Sequence, residues 1–145
     1  MQELKGFLRP RVLPLTLNIH GDDRGSLIAI QKNQPIGFDI KRCYYIFDNS
    51  QNVIRGKHAH RFLRQLLVCL SGSLIVDCEF NGQKETHFLN DPSKALLIEG
   101  LVWREMREFS PGCVLLVLAS EEYSETDYIR NYKNFKETEK KCKKK

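Results

Sequence analysis

Short apolar or alternating runs broken by turn residues fill the chain from residue 12 to residue 119: VLPLTLNI, GSLIAIQ, FDIKRCYYIF, LRQLLVCL, SLIVDCEF, THFL, KALLI and VLLVLA. Alternation sends successive side chains to opposite faces of an extended strand, and β-branched and aromatic residues suit that geometry. The punctuation agrees. Asn81-Gly82 is the dipeptide a two-residue hairpin turn asks for and Ser71-Gly72 offers a second, while Gly21, Gly25, Asp91-Pro92, Gly100 and Pro111-Gly112 fall between runs. About ten strands at spacings of roughly 8–12 residues, with no helical period among them, predict an all-β sandwich or barrel of jelly-roll type. Only residues 121–135, EEYSETDYIRNYKNF, predict a short helical or irregular segment, with Ser124 or Thr126 available to cap its start.

Composition changes this picture little, but charge does. The chain of 145 residues is long enough for one self-supporting core, taken as a single domain over 1–135 with a disordered Lys-rich tail over 136–145. A net charge of +5 invites a nucleic-acid or membrane partner until it is located. Residues 133–145 hold seven Lys and two Glu, whereas residues 1–132 are balanced at sixteen basic and sixteen acidic side chains. The excess belongs to a solvated end, so neither partner is expected. Five cysteines, an odd number without C-x-x-C spacing, read as reduced and mostly buried thiols. The start, MQELKGFLRP, lacks the apolar core of a signal peptide, and the apolar runs are too short to span a bilayer, so the expectation is a cytoplasmic protein.

Candidate chemistry concentrates in residues 53–72, VIRGKHAHRFLRQLLVCLSG, which carry two of the four histidines. On a strand His58 and His60 share a face, with Cα atoms about 6.5–7 Å apart. Regular alternation puts Gly56 on that face and Arg55, Lys57 and Arg61 on the other, although a bulge beside Gly56 would turn Arg55 back toward the mouth of a barrel. Polar side chains facing inward need a reason. Metal ligation is one and proton transfer is the other.

The stretch resembles the first motif of the cupin superfamily, a His-x-His followed by a Glu ligand and a Gly, with His58, His60, Gln65 and Gly72 at the matching positions. Gln65, a neutral amide, is a poor ligand for a divalent cation. In the region of the second cupin motif, LLIEGLVWREMREF, Trp103 stands near the place of a ligand, and His20 and His87 read as surface or rim residues. The expectation is therefore a cupin-type jelly-roll barrel with no metal and no cofactor, whose two histidines handle protons near neutral pH.

A narrower resemblance covers residues 12 to 135. The segments DRGSL (23–27), KRCYYIFD (41–48), RGKHAHR (55–61), VWREM (102–106) and DYIRNYKNF (127–135) are spaced as in the dTDP-sugar 3,4-ketoisomerases. That resemblance implies conversion of dTDP-4-dehydro-6-deoxy-glucose to its 3-dehydro isomer, ahead of an aminotransferase that makes a 3-amino-3,6-dideoxy sugar for surface glycans, by a homodimer. It further implies His58 as the base at C3, and His60 as the donor to C4 or the relay between the C3 and C4 oxygens. Arg55 would bind the diphosphate, as in the related 3,5-epimerases, whose Arg-Gly-x-His is similar to Arg55-Gly56-Lys57-His58. Lys57 and Gln65 join the substrate-binding set from the same stretch. Arg42 and Tyr44 share a parity and either line the pocket or serve as surface cation and core, Trp103 walls the sugar or packs in the core, and Arg24 and Arg104 bear on the face at which C4 is protonated. A 3,5-epimerase, a non-catalytic sugar-binding cupin and a metal-dependent cupin remain the rival readings.

Overall fold

The computed structural model describes residues 7–32 and 36–143; most of the amino-terminal stretch read for a leader, and the last two lysines, lie outside them. Along the chain run β1 (Arg11–Thr16), β2 (His20–Asp22), β3 (Gly25–Leu27), β4 (Arg42–Ile46), β5 (Arg55–His60), β6 (Arg64–Ser71), β7 (Leu74–Phe80), β8 (Gln83–Leu89), β9 (Lys94–Glu99), β10 (Trp103–Arg107), β11 (Val114–Ala119), β12 (Tyr128–Ile129) and helix α1 (Tyr132–Lys143). Two five-stranded sheets, ordered β1-β9-β6-β11-β4 and β12-β5-β10-β7-β8, form the barrel, and β2 and β3 make a separate hairpin. The all-β jelly-roll expectation is met.

Alternation decides where each side chain goes. Leu67, Leu96, Leu115 and Val117 of the first sheet meet Leu74, Val76 and Met106 of the second in the core between them. Each such burial contributes about 1.5–3 kcal/mol. The opposite face of the first sheet, with Leu66, Val68, Leu97 and Leu118, is covered by Leu17, Ile36 and Phe38. On the outside of the second sheet Ala59, Trp103 and Ile129 pack with Phe135 of α1. Asn81 (φ 52°) and Gly82 (φ 73°) close β7 onto β8 with both residues left-handed, as the hairpin dipeptide requires. Among the cysteine thiols Cys69, Cys78 and Cys113 are buried, whereas Cys43 is exposed on the outer face of β4.

The carboxy-terminal expectation needs correction. Residues 121–135 do not form the helix: they hold a 3₁₀ turn at Glu125–Asp127, the short strand β12, and only then the start of α1. Neither Ser124 nor Thr126 caps α1; the Asn131 side chain does, accepting from the Asn134 N–H at 3.0 Å. The lysine-rich residues 136–143, expected as a disordered end, continue the helix. Phe135 is fully buried, and the buried Glu139 carboxylate accepts the Asn81 N–H at 2.7 Å and pairs with Lys136 at 3.2 Å. Lys140, Lys141 and Lys143 in the last turn suit the negative end of the helix dipole, so positive charge there favours the helix.

Candidate active site

At one end of the barrel the inner faces turn from apolar to polar. The first sheet contributes Arg42 of β4 and Gln65 of β6, both paired with Ala119 of β11 between them, and Tyr44 beside them. The second contributes His58 and His60 of β5 and Arg104 of β10, with His58 directly opposite Arg104. A cleft of about 450 Å³ opens there, lined among others by Arg42, Tyr44, Arg55, His58, Tyr128 and Arg130.

A β-bulge brings Arg55 into this group. Arg104, Glu105 and Met106 pair in turn with His58, Gly56 and Arg55, which leaves Lys57 as the extra residue of β5. Gly56 (φ 83°) and Lys57 (φ 56°) are both left-handed. A Cβ on Gly56 would sit 2.9 Å from the Arg104 carbonyl, so close strand approach and positive φ both demand glycine here. The bulge reverses parity: Arg55 joins His58 and His60 on the inner side, and Lys57 is exposed. Arg55 Nε is steadied by Asn49 Oδ1 at 2.8 Å.

The tautomers follow from hydrogen-bond partners. His58 Nδ1 lies 3.0 Å from the Gly56 carbonyl oxygen, an acceptor only, so Nδ1 carries the proton and Nε2 a free lone pair. His60 Nδ1 donates to Asp127 Oδ2 at 2.9 Å, while its Nε2 is buried without a partner among the described residues. Asp127 in turn accepts the Arg61 and Phe62 N–H groups at 3.0 and 2.8 Å. Burial pushes the Asp127 carboxyl up, but the His60 bond and these two N–H groups outweigh it and hold the group below its ordinary value, ionised. The imidazoles meet edge to face at 4.7 Å between centroids, and Tyr128 packs on both, at 5.0 and 4.3 Å.

Both histidines are neutral at physiological pH. Burial, then the Arg104 charge and His60, bring His58 down to about 3. Burial lowers His60 as well, partly offset by the Asp127 hydrogen bond, to about 4. Arg104 is itself only 2% exposed; it donates through Nε to the Val102 carbonyl (3.1 Å) and through Nη1 to Gln65 Oε1 (2.5 Å). Gln65 Nε2 donates onward to the Tyr44 hydroxyl at 3.0 Å. The Gln65 amide, turned to Arg104 and Tyr44, adds no anionic ligand to the histidine pair, and no three His, Cys, Asp or Glu side chains converge among the described residues.

Several sequence-predicted residues thus come together: His58, His60, Arg55, Arg42, Tyr44, Gln65 and Arg104. Others do not. Trp103 faces outward, its Nε1 donating to Glu105 and its ring packed edge to face on Tyr132 and tilted against Phe135, so it walls the helix contact and not the cleft. Lys57 points away on the bulge. Arg24 pairs with Asp22 on the β2–β3 hairpin and lines a separate hollow. Three residues of the site went unread: Asp127, which stands behind His60, and the cleft residues Tyr128 and Arg130, the latter stacking over Tyr128 at 4.2 Å and forking onto Glu125. A two-residue strand leaves no periodic signal, and only the quoted DYIRNY segment marked their neighbourhood.

Fold and site together define a cupin-type barrel whose mouth carries a neutral histidine pair ringed by guanidinium groups. The family model described as FdtA: WxcM-like, C-terminal, matches residues 12–140, and the chain belongs to that family. The TDP-4-oxo-6-deoxy-α-D-glucose-3,4-oxoisomerase of Aneurinibacillus thermoaerophilus is 50% identical over 115 residues, covering 79% of this chain and 83% of the relative. QdtA, a sugar 3,4-ketoisomerase from Thermoanaerobacterium thermosaccharolyticum solved with TDP, superposes with a TM-score of 0.86 at 46% identity, over 90% of this chain and 95% of that one. The TDP-quinovose 3,4-ketoisomerase WlaRB of Campylobacter jejuni gives 0.82 at 46% identity, over 86% and 95%. A Mycobacterium tuberculosis epimerase, at 17% identity and a TM-score of 0.68, shares the fold alone.

Proposed function

We propose that this chain is a sugar-nucleotide 3,4-ketoisomerase that moves the ketone of a TDP-linked 4-keto-6-deoxy-glucose from C4 to C3 through an enediol. The observation that carries the reading is the His58 Nε2 lone pair at the wall of the cleft, on an imidazole held neutral by burial and fixed in tautomer by the Gly56 carbonyl. The C3–H bond, alpha to the C4 ketone, is acidic enough for such a base. His58 takes that proton, and the pair with His60 returns one to C4. Asp127 offsets the positive charge on the imidazoles while the proton is held. Arg55, with Arg42 and Arg130 on the same cleft, binds the diphosphate, where guanidinium forks fit phosphate oxygens. The product, a 3-ketone, suits an aminotransferase that installs a 3-amino group.

The protein acts as a homodimer in the cytoplasm, the unpaired thiols of Cys43, Cys69, Cys78 and Cys113 in keeping with a reducing compartment. Dimerisation is supported by the β2–β3 hairpin, which pairs with neither sheet and exposes Leu27 (60%), next to the 55% exposed Ile19. Among the described residues no helix is long and apolar enough to cross a membrane.

Incubation with TDP-4-keto-6-deoxyglucose in deuterated water, followed by NMR, tests the reading. Carbonyl carbon appearing at C3 with solvent deuterium at C4 is expected. A carbonyl that stays at C4 while C3 or C5 inverts makes it an epimerase, and tight TDP binding without turnover makes it a binding protein.

A further inference from the structure

Asp127 does not line the cleft, yet the buried histidine is built against it. The residue ends the 3₁₀ turn Glu125–Asp127 and precedes β12, whose Tyr128 pairs with His60 and whose Ile129 pairs with Ala59. Its two carboxylate oxygens have separate tasks. Oδ1 accepts the Arg61 and Phe62 N–H groups at 3.0 and 2.8 Å, holding the turn that follows β5, and the Asp127 carbonyl accepts the Arg61 N–H as well, at 3.0 Å. Oδ2 accepts His60 Nδ1 at 2.9 Å. The side chain is 17% exposed and lines a second hollow, of about 1030 Å³, together with Arg61, Arg64 and Thr126.

His60 is fully buried and packs on His58 and Tyr128, both of which line the cleft. The two nitrogens of an imidazole lie on opposite sides of the ring, so the bond to Asp127 turns Nε2 away from the carboxylate. That Nε2 has no partner among the described residues. We propose that Asp127 is a positioning residue that holds His60 in the Nδ1–H tautomer, so that the histidine pair offers two bare Nε2 atoms to the reaction. The Gly56 carbonyl fixes the same tautomer in His58.

The inference rests on the ketoisomerase reading and concerns how many protons the pair can hold. Moving the ketone removes two protons, one from C3 and one from O3, and returns two, one to C4 and one to O4. The C3–H pair becomes the C3–C4 double bond and the carbonyl pair moves onto O4. The O3–H pair then closes the C3 carbonyl while the double-bond pair takes a proton at C4. Two imidazoles with both Nε2 atoms bare can hold both protons and give both back, and no oxidant or reductant is consumed. A pair with one Nε2 already protonated can hold only one.

Asparagine at position 127 separates this role from a structural one. Its carbonyl oxygen must stay with the Arg61 and Phe62 N–H groups, which leaves its NH₂ facing His60 Nδ1. A donor there demands a lone pair on Nδ1, and the imidazole proton moves to Nε2, the tautomer that cannot accept. Alanine removes the acceptor without imposing a tautomer, and it releases the turn.

Four variants test this, D127N, D127A, H60N and H60N/D127N, with the tautomer read by long-range proton–nitrogen NMR of histidine-labelled protein. Wild type should show His60 with Nδ1 protonated and Nε2 bare, and in D127N the two should exchange. The expected kcat loss for D127N is about 10²–10⁴-fold, the range for a lost proton-transfer group. D127A should lose less activity than D127N but more thermal stability, since only asparagine keeps the turn. A purely structural role ties activity to stability and predicts the larger kcat loss for D127A. KM and TDP affinity should change less than about threefold in both Asp127 variants, because the residue stands off the cleft. The double variant should be no slower than H60N, because Asp127 acts only through His60. Should D127N not fold, D127A is compared in the presence and absence of H60N: a loss with His60 and none without it is expected. A His60 tautomer unchanged in D127N, D127N turning over within threefold of wild type, or losses that multiply in the double variant, overturns the proposal. Wild-type protein that leaves the ketone at C4 overturns the ketoisomerase reading instead.

Discussion

His58 and His60 differ in what stands behind them, a backbone carbonyl for one and the Asp127 carboxylate for the other, yet both are kept neutral by the same burial and the same Arg104 charge. Their folded values of about 3 and about 4 lie below the ordinary 6.5, so the unfolded chain binds more protons across that window. Stability attributable to them is complete above about pH 6.5 and drains away as pH falls toward 4. Activity should follow the same logic: kcat/KM is expected to stay level from about pH 8 down to about pH 5. An acid limb centred near 6.5 would show an exposed base and sink the assignment. H58N should lose turnover by about 10²–10⁴-fold while binding TDP as tightly as wild type, by calorimetry. The histidine pair was legible because strand parity alone sets two such residues side by side. Asp127 was not, because its bond to His60 joins residues 67 apart in sequence through a strand too short to show a period.

The bulge in β5 and the helix α1 show why elements are harder to read than single residues. Gly56 marked a place where a bulge would turn Arg55 inward, but only the pairing of Arg104 with His58 and of Glu105 with Gly56 locates the extra residue at Lys57. G56A should push β5 off β10, since its Cβ meets backbone at 2.9 Å and its φ is positive. The expected result is a stability loss of about 1–3 kcal/mol together with weaker TDP binding, as Arg55 and His58 lose their common face. Binding and stability both at wild-type level would mean that the bulge does not set the site. The helix was misplaced for a different reason: its polar, lysine-rich sequence cannot pay for order locally, and long-range contacts of Phe135 with Trp103 and of Glu139 with Asn81 supply what local propensity lacks. F135A is expected to cost about 3–5 kcal/mol by denaturant titration, the range for a buried Phe.

For the whole molecule, the distribution of features separates a body that holds chemistry from a hairpin that pairs with neither of its sheets. The strand order, the three apolar layers and the polar end of the barrel account for His58, Tyr44 and Arg104, but leave Arg24 bound to Asp22 on β2–β3, apart from the cleft. A symmetric dimer in which each hairpin crosses to the other subunit would reconcile the two, because the hairpin's exposed Leu27 gains cover and Arg24 reaches a cleft that is not its own. L27E should then shift the protein from dimer to monomer by sedimentation. The sharper consequence is complementation. If Arg24 serves the partner's cleft, R24A and H58N are each impaired as homodimers, but a dimer of one R24A and one H58N chain contains one complete site, with Arg24 from the H58N chain and His58 from the R24A chain. Random co-assembly makes half the dimers mixed with one good site of two, so co-expression should restore about a quarter of wild-type turnover. A co-expressed mixture no more active than the average of the two homodimers places Arg24 outside the partner's site and leaves the hairpin a purely adhesive role.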